Sequence, residues 1–139
     1  MIVQFRKILP TAILPRYAHA GDAGMDVFAY YSETIEPGET IRMTTGLEIA
    51  LPEGYFGSAR ERSGLAAMGI RLGGGVIDAG YRGEILGILT NLSRRAYTIE
   101  RGDRIFQIII QPFATAEILE ADELPAGERG QAGLGSTGR

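Results

Sequence analysis

Thr40-Ile41-Arg42-Met43-Thr44-Thr45-Gly46-Leu47-Glu48-Ile49-Ala50-Leu51 reads with a period of two. Ile41, Met43, Thr45, Leu47, Ile49 and Leu51 fall on one face, with Arg42 and Glu48 on the other. That is the signature of a strand with one side on a core. Glu84 to Leu92 and Arg104 to Phe113 are richer apolar runs, expected for strands covered on both faces. Tyr97 and Ile99 alternate with Thr98 and Glu100. Turn signals recur between these runs at Pro37-Gly38, Pro52-Glu53-Gly54, Gly73-Gly74-Gly75 and Gly102-Asp103. Short strands with such punctuation predict an all-β fold, a jelly roll or distorted β-barrel.

One short helix interrupts the pattern. Ser63 is suited to cap it, Leu65-Ala66-Ala67-Met68 to propagate it and Gly69 to end it. So short a helix depends on packing for its stability.

The chain has 139 residues, enough for one compact domain with a real core. We expect that domain at residues 1–126, followed by a glycine-rich tail at 127–139. In the tail Leu134 is the only large apolar side chain among Gly127, Gly130, Gly133, Gly135 and Gly138. Such a segment buries too little to offset its ordering and is expected to be mobile without ligand.

Composition excludes several chemistries. A formal net charge of -3 argues against broad electrostatic binding to nucleic acid. No cysteine is present, which removes thiolate metal sites and Cys nucleophiles and is compatible with a reducing, cytoplasmic location. The single His19 lies in a polar turn and is expected to be a solvated turn residue. No apolar run is long enough for a membrane span, and the alternating N-terminus lacks a signal-peptide core.

Several glycine-punctuated segments carry polar groups that suit a nucleoside triphosphate. Gly75-Val76-Ile77-Asp78-Ala79-Gly80-Tyr81-Arg82-Gly83-Glu84 delivers a carboxylate into a glycine-hinged turn, beside backbone free of bulky side chains. Arg62-Ser63-Gly64 puts a cation, a hydroxyl and free amides at a helix start, where anions are favoured. Gln107 interrupts an apolar run and needs a partner if buried; an edge-strand position facing water is the plainer alternative. Asp26, after Gly24 in another apolar stretch, is suited either to orient a hydrated Mg²⁺ or simply to pair with an arginine. Arg129-Gly130 and Gly135-Ser136-Thr137-Gly138 offer a cation, hydroxyls and bare amides to phosphate.

In order and spacing, these segments resemble the five motifs of the trimeric deoxyuridine triphosphate nucleotidohydrolases (dUTPases), across nearly the whole chain. The resemblance implies a jelly-roll subunit and a homotrimer with three active sites between subunits. It draws Asp26, Ser63 and Gln107 from one subunit, the Asp78 hairpin from a second and the tail from a third. It implies hydrolysis of dUTP to dUMP and pyrophosphate with Mg²⁺, which limits uracil incorporation into DNA and supplies dUMP for dTTP synthesis.

In that reading Asp78 accepts the proton of the attacking water. Asp26 holds Mg²⁺ through waters, and Arg62, Ser63, Gly64 and Gln107 grip the phosphates. Gly73, Gly74 and Gly75 present backbone to uracil, Tyr81 lies on the deoxyribose, and Arg129, Leu134, Gly135, Ser136 and Thr137 cover the bound nucleotide. The partners expected are dUTP and two further copies of the chain, with no nucleic acid and no membrane.

The chain departs from the family pattern at Leu134, where an aromatic is usual, at Ala132, usually glycine, and at Glu61, often proline. For Glu61 a solvated side chain is expected. Two other readings compete. A dCTP deaminase of the same fold would need a carboxylate in Ile85-Leu86-Gly87-Ile88-Leu89, which has none. A non-catalytic nucleotide-binding relative would have no use for a base at Asp78.

Overall fold

The structure is a computed structural model that describes residues 1–127 and Gly130. The strands are β1 (Gln4–Lys7), β2 (Met25–Phe28), β3 (Glu33–Ile35), β4 (Thr40–Thr44), β5 (Leu47–Ala50) and β6 (Tyr55–Arg60). The helix α1 (Ser63–Ala67) follows, then β7 (Ile70–Gly73), β8 (Val76–Ile77), β9 (Leu86–Asn91), β10 (Tyr97–Ile99) and β11 (Arg104–Pro112). All pairings are antiparallel. They form sheets ordered β2-β11-β6-β8 and β4-β9-β7, with two-stranded ribbons β1-β5 and β10-β3. The all-β jelly-roll expectation is met.

The alternation in Thr40–Leu51 holds in burial, since Ile41, Met43, Thr45, Leu47, Ile49 and Leu51 are all buried. It is not one strand, however. The run breaks at Gly46, whose φ of +70° few other residues adopt, and where an added Cβ would meet Leu9 and Ala12 at 3.0 Å. β4 then pairs with β9, and β5 turns to β1. Period-two burial survives the corner because both pieces keep the same side on the core.

The core joins these pieces through Val27, Ile35, Met43, Leu47, Ile70, Leu89, Ile99, Ile105, Phe106 and Ile108. Burying a side chain of this size contributes roughly 1.5–3 kcal/mol. Buried polar residues knit the edges together. Asn91, fully buried, donates from Nδ2 to the carbonyls of Ile35 and Arg95, each at 2.8 Å, and its Oδ1 accepts from Ser93 N at 2.9 Å. Those bonds tie three segments at the end of β9.

β9 does not match the expectation of cover on both faces. Gly87 and Leu89 are buried, while Leu86 and Ile88, which alternate with them, are exposed. The strand therefore alternates, with one face on the core and the other lining a groove described below. β11 is closer to expectation, with Ile105, Phe106 and Ile108 buried and the strand held between β2 and β6.

The helix begins one residue earlier than the sequence suggests. Arg62 occupies the cap position without a side-chain cap bond, and Ser63 is the first helical residue. Gly69 ends the helix as expected, at φ +85°. His19 is an exposed turn residue, its backbone N–H bonded to Asp22 Oδ2 at 2.8 Å. Among the described residues no helix is long and apolar enough to cross a membrane. The tail residues Arg129, Leu134, Gly135, Ser136 and Thr137, and the mobility expected of them, lie outside the described residues.

Candidate active site

One groove and a separate cluster beside a shallow depression collect the remaining residues singled out by sequence. The first has a volume of about 240 Å³ and is lined by Leu72 to Asp78, Tyr81 and Glu84, with Ile88 and Phe106 among the apolar walls. β7 forms its rim as the edge strand of its sheet, and β8 is the edge of the other. Edge strands leave backbone groups unpaired, so a flat ligand can pair with them. Gly73, Gly74 and Gly75 thus stand where backbone is accessible without side-chain bulk.

The turn that carries Asp78 is built from its own neighbours. Tyr81 N donates to Asp78 O at 3.0 Å, and Arg82 Nη1 donates to the carbonyls of Ala79 and Tyr81, each at 2.7 Å. Tyr81 is 44% exposed, and its hydroxyl donates to Glu84 O at 2.9 Å. Asp78 is exposed at the lining of the groove, so its carboxylate meets water. Glu84 anchors the far end of the turn: its Oε1 accepts from Thr44 Oγ1, from Thr45 N at 3.2 Å and from Gly46 N at 2.8 Å.

The second group is centred on Asp26, which is only 2% exposed. Gln107 Nε2 donates to Asp26 Oδ1 at 3.1 Å. Arg62 Nε lies 3.2 Å from the same oxygen, a charge contact without hydrogen-bond alignment, and Arg104 Nε lies 3.5 Å from Oδ2. Arg62 Nη1 also donates to the Arg104 carbonyl at 3.2 Å. Two guanidiniums thus meet one carboxylate beside exposed Gly64 and its neighbour Ser63. Arg62, Gly64 and Arg104 share a depression of about 200 Å³ with Asp103. Gly24 makes the packing possible, because a Cβ there would come within 3.0 Å of Gln107 Oε1.

Gln107 therefore has the partner that burial requires, on an interior strand rather than a solvated edge. Asp26 takes the arginine-paired arrangement. Its oxygens are turned to Arg62, Arg104 and Gln107. Among the described residues no group of three acidic or histidine side chains could hold a metal ion by itself.

The expectation that Glu61 is solvated is corrected. Glu61 Oε1 accepts from Arg71 Nε at 2.7 Å and from Leu72 N at 3.1 Å. The hydrogen bond from Arg71 holds its carboxyl below the usual carboxylate range, against the opposing effect of burial. Arg71, ten residues on, carried no local signal of this pairing. Arg104 was visible beside Gly102-Asp103, but its approach to Asp26 depends on the β2–β11 register.

An all-β antiparallel fold with an accessible glycine-rich edge, an exposed carboxylate and a separate pair of arginines is compatible with the class of nucleotide-phosphate hydrolases. The dUTPase family model matches residues 11–138, and the chain belongs to that family. It hydrolyses dUTP to dUMP and pyrophosphate. A deoxyuridine 5'-triphosphate nucleotidohydrolase from Solibacter usitatus is 45% identical, covering 100% of this chain and 97% of the relative. The solved dUTPase of Staphylococcus bacteriophage 80alpha with dUPNHPP superposes with a TM-score of 0.93 at 29% identity, covering 99% of each chain. A mutant dUTPase from phage phi11 of S. aureus, described with a structural Mg(II) ion, gives a TM-score of 0.84 at 27% identity. It covers 91% of this chain and 100% of the phage chain.

Proposed function

We propose that the groove and the Asp26 cluster are halves of different active sites, completed when three copies of the chain assemble. The observation that supports this is their separation: among the described residues, none that lines the Asp78 groove also lines the Arg62 depression. The base and sugar would sit in the first half, against Gly73–Gly75 and Tyr81. The phosphates would reach Arg62, Ser63, Gly64 and Gln107 of a neighbouring copy. By resemblance, Arg129, Leu134, Gly135, Ser136 and Thr137 come from a third copy.

In the reaction, Asp78 takes a proton from water as the water oxygen bonds to the α-phosphorus. The bond from that phosphorus to the bridging oxygen breaks in line, and pyrophosphate leaves with the electron pair. Arg62 and Arg104 neutralise charge on the phosphate chain. Selectivity rests on shape and pairing. The glycine backbone would meet uracil's edge, and Tyr81 would leave no room for a 2′-hydroxyl.

Mg²⁺ fits this site only as a cation carried by the triphosphate, since it keeps several waters and takes few protein ligands. Asp26 would face it across water once an arginine turns to the phosphates. Bound there, Mg²⁺ would offset charge on the triphosphate. A reducing cytoplasmic setting is proposed on the absence of cysteine.

The test mixes two inactive variants. Asp78→Asn and Arg62→Ala are each expected to lose turnover, Asp78→Asn by about 10²–10⁴-fold with nucleotide binding retained. Unfolded together and refolded as a mixture, they should recover activity, because some sites then combine an intact Asp78 with an intact Arg62. No recovery from a mixture shown to exchange subunits would place both residues in a site within one chain.

A further inference from the structure

The segment Ala59–Glu61 runs beside the glycine hairpin and touches it twice. Ala59 N donates to Gly75 O at 2.9 Å, and Leu72 N donates to Glu61 Oε1 at 3.1 Å. The two bonds bracket Gly73 and Gly74, in a run of three glycines where backbone is most pliable. The first bond is made by backbone and survives substitution of Glu61. The second needs an acceptor on the side chain at position 61. It satisfies an outward amide on the edge strand β7, which has no further strand beside it among the described residues. The same carboxylate oxygen also accepts from Arg71 Nε at 2.7 Å.

We propose that Glu61 is a positioning residue for base selection, which seats the Leu72–Gly75 backbone at the spacing a base edge requires. It touches neither base nor phosphate in this role, and acts through Leu72. The inference rests on the reading that Gly73–Gly75 meet the base. Of its two contacts, the bond to Leu72 carries the effect. Arg71 is more than half exposed, and solvent screens its charge.

The experiment compares Glu61→Ala, Glu61→Gln and Arg71→Met with the unmodified enzyme, measuring kcat and KM for dUTP and dCTP and the melting temperature. Glu61→Ala should raise KM for dUTP about tenfold, the scale of one lost hydrogen bond, with kcat within about twofold. Preference for dUTP over dCTP should fall by a similar factor. Glu61→Gln keeps an acceptor for Leu72 and should restore most of that preference. Arg71→Met keeps the carboxylate and should leave preference near that of the unmodified enzyme.

Unchanged preference in Glu61→Ala overturns the proposal, as does equal loss in Glu61→Gln and Glu61→Ala. If Glu61→Ala does not fold, the Glu61→Gln and Arg71→Met pair decides: loss of preference in either overturns it, and retention in both supports it. An unmodified enzyme with no preference for dUTP over dCTP would instead overturn the reading of the hairpin itself.

Discussion

Arg62 Nε lies 3.2 Å from Asp26 Oδ1, while Arg104 Nε approaches the other oxygen of the same carboxylate at 3.5 Å. One buried acid thus holds two guanidiniums, and Gln107 completes its shell. The acid comes from β2, one arginine precedes α1 and the other begins β11, and the amide is on β11.

Removing that charge should disorganise the anion site and weaken the fold. Asp26→Asn leaves both arginines without their counter-ion. Breaking a buried pair typically costs about 3–5 kcal/mol, reduced here because both arginines reach solvent. We expect a lower melting temperature together with a higher KM for dUTP. Thermal denaturation and steady-state kinetics check this, and an unchanged KM would remove Asp26 from the organisation of the site.

Tyr81 separates packing from hydrogen bonding. Its hydroxyl donates to Glu84 O at 2.9 Å, and the residue lines the groove. Tyr81→Ala should admit UTP better, and Tyr81→Phe should keep the sugar discrimination because the ring remains. Competition between dUTP and UTP reads the difference. Equal discrimination by Tyr81→Ala and the unmodified enzyme would sink the assignment.

Asn91 is a stability determinant away from chemistry. Its three side-chain bonds at 2.8, 2.8 and 2.9 Å all go to backbone. Asn91→Ala leaves buried backbone groups without partners, at a cost of about 3 kcal/mol. The melting temperature should fall by roughly 10 °C. Calorimetry checks the value.

Glu61 predicts a pH dependence whose sign follows from its lowered carboxyl pKa. A depressed folded value means that the contribution to stability is full above the ordinary glutamate value, about 4.3. It is lost as pH falls through the lower folded value. The melting-temperature gap between the unmodified protein and Glu61→Gln should therefore be constant near neutrality and close at strongly acidic pH. A gap that first opens in acid would contradict the sign.

Much of the fold was legible because strand periodicity is local. Ile41 to Leu51 alternate in burial as their sequence alternates, even across the corner at Gly46. The corner itself was not legible, since a single glycine in an alternating run does not say that the strand changes partner. Ser63 was read as a cap because its hydroxyl suits that position, yet Arg62 takes it without a side-chain bond. Leu86 and Ile88 looked doubly covered because apolar content does not report which neighbours a face acquires.

The candidate site divides in the same way. By itself, the sequence determined which chemistry is available: a carboxylate at Asp78, open backbone at Gly73–Gly75, an aromatic at Tyr81 and cations at Arg62 and Arg129. Each belongs to a short segment whose residue types state their capability. Only the tertiary structure decided that Asp26 meets Gln107, 81 residues away, and that Glu61 meets Leu72 rather than water. Such contacts depend on the register of antiparallel strands and on which strand lies at an edge, and both are properties of the assembled sheets.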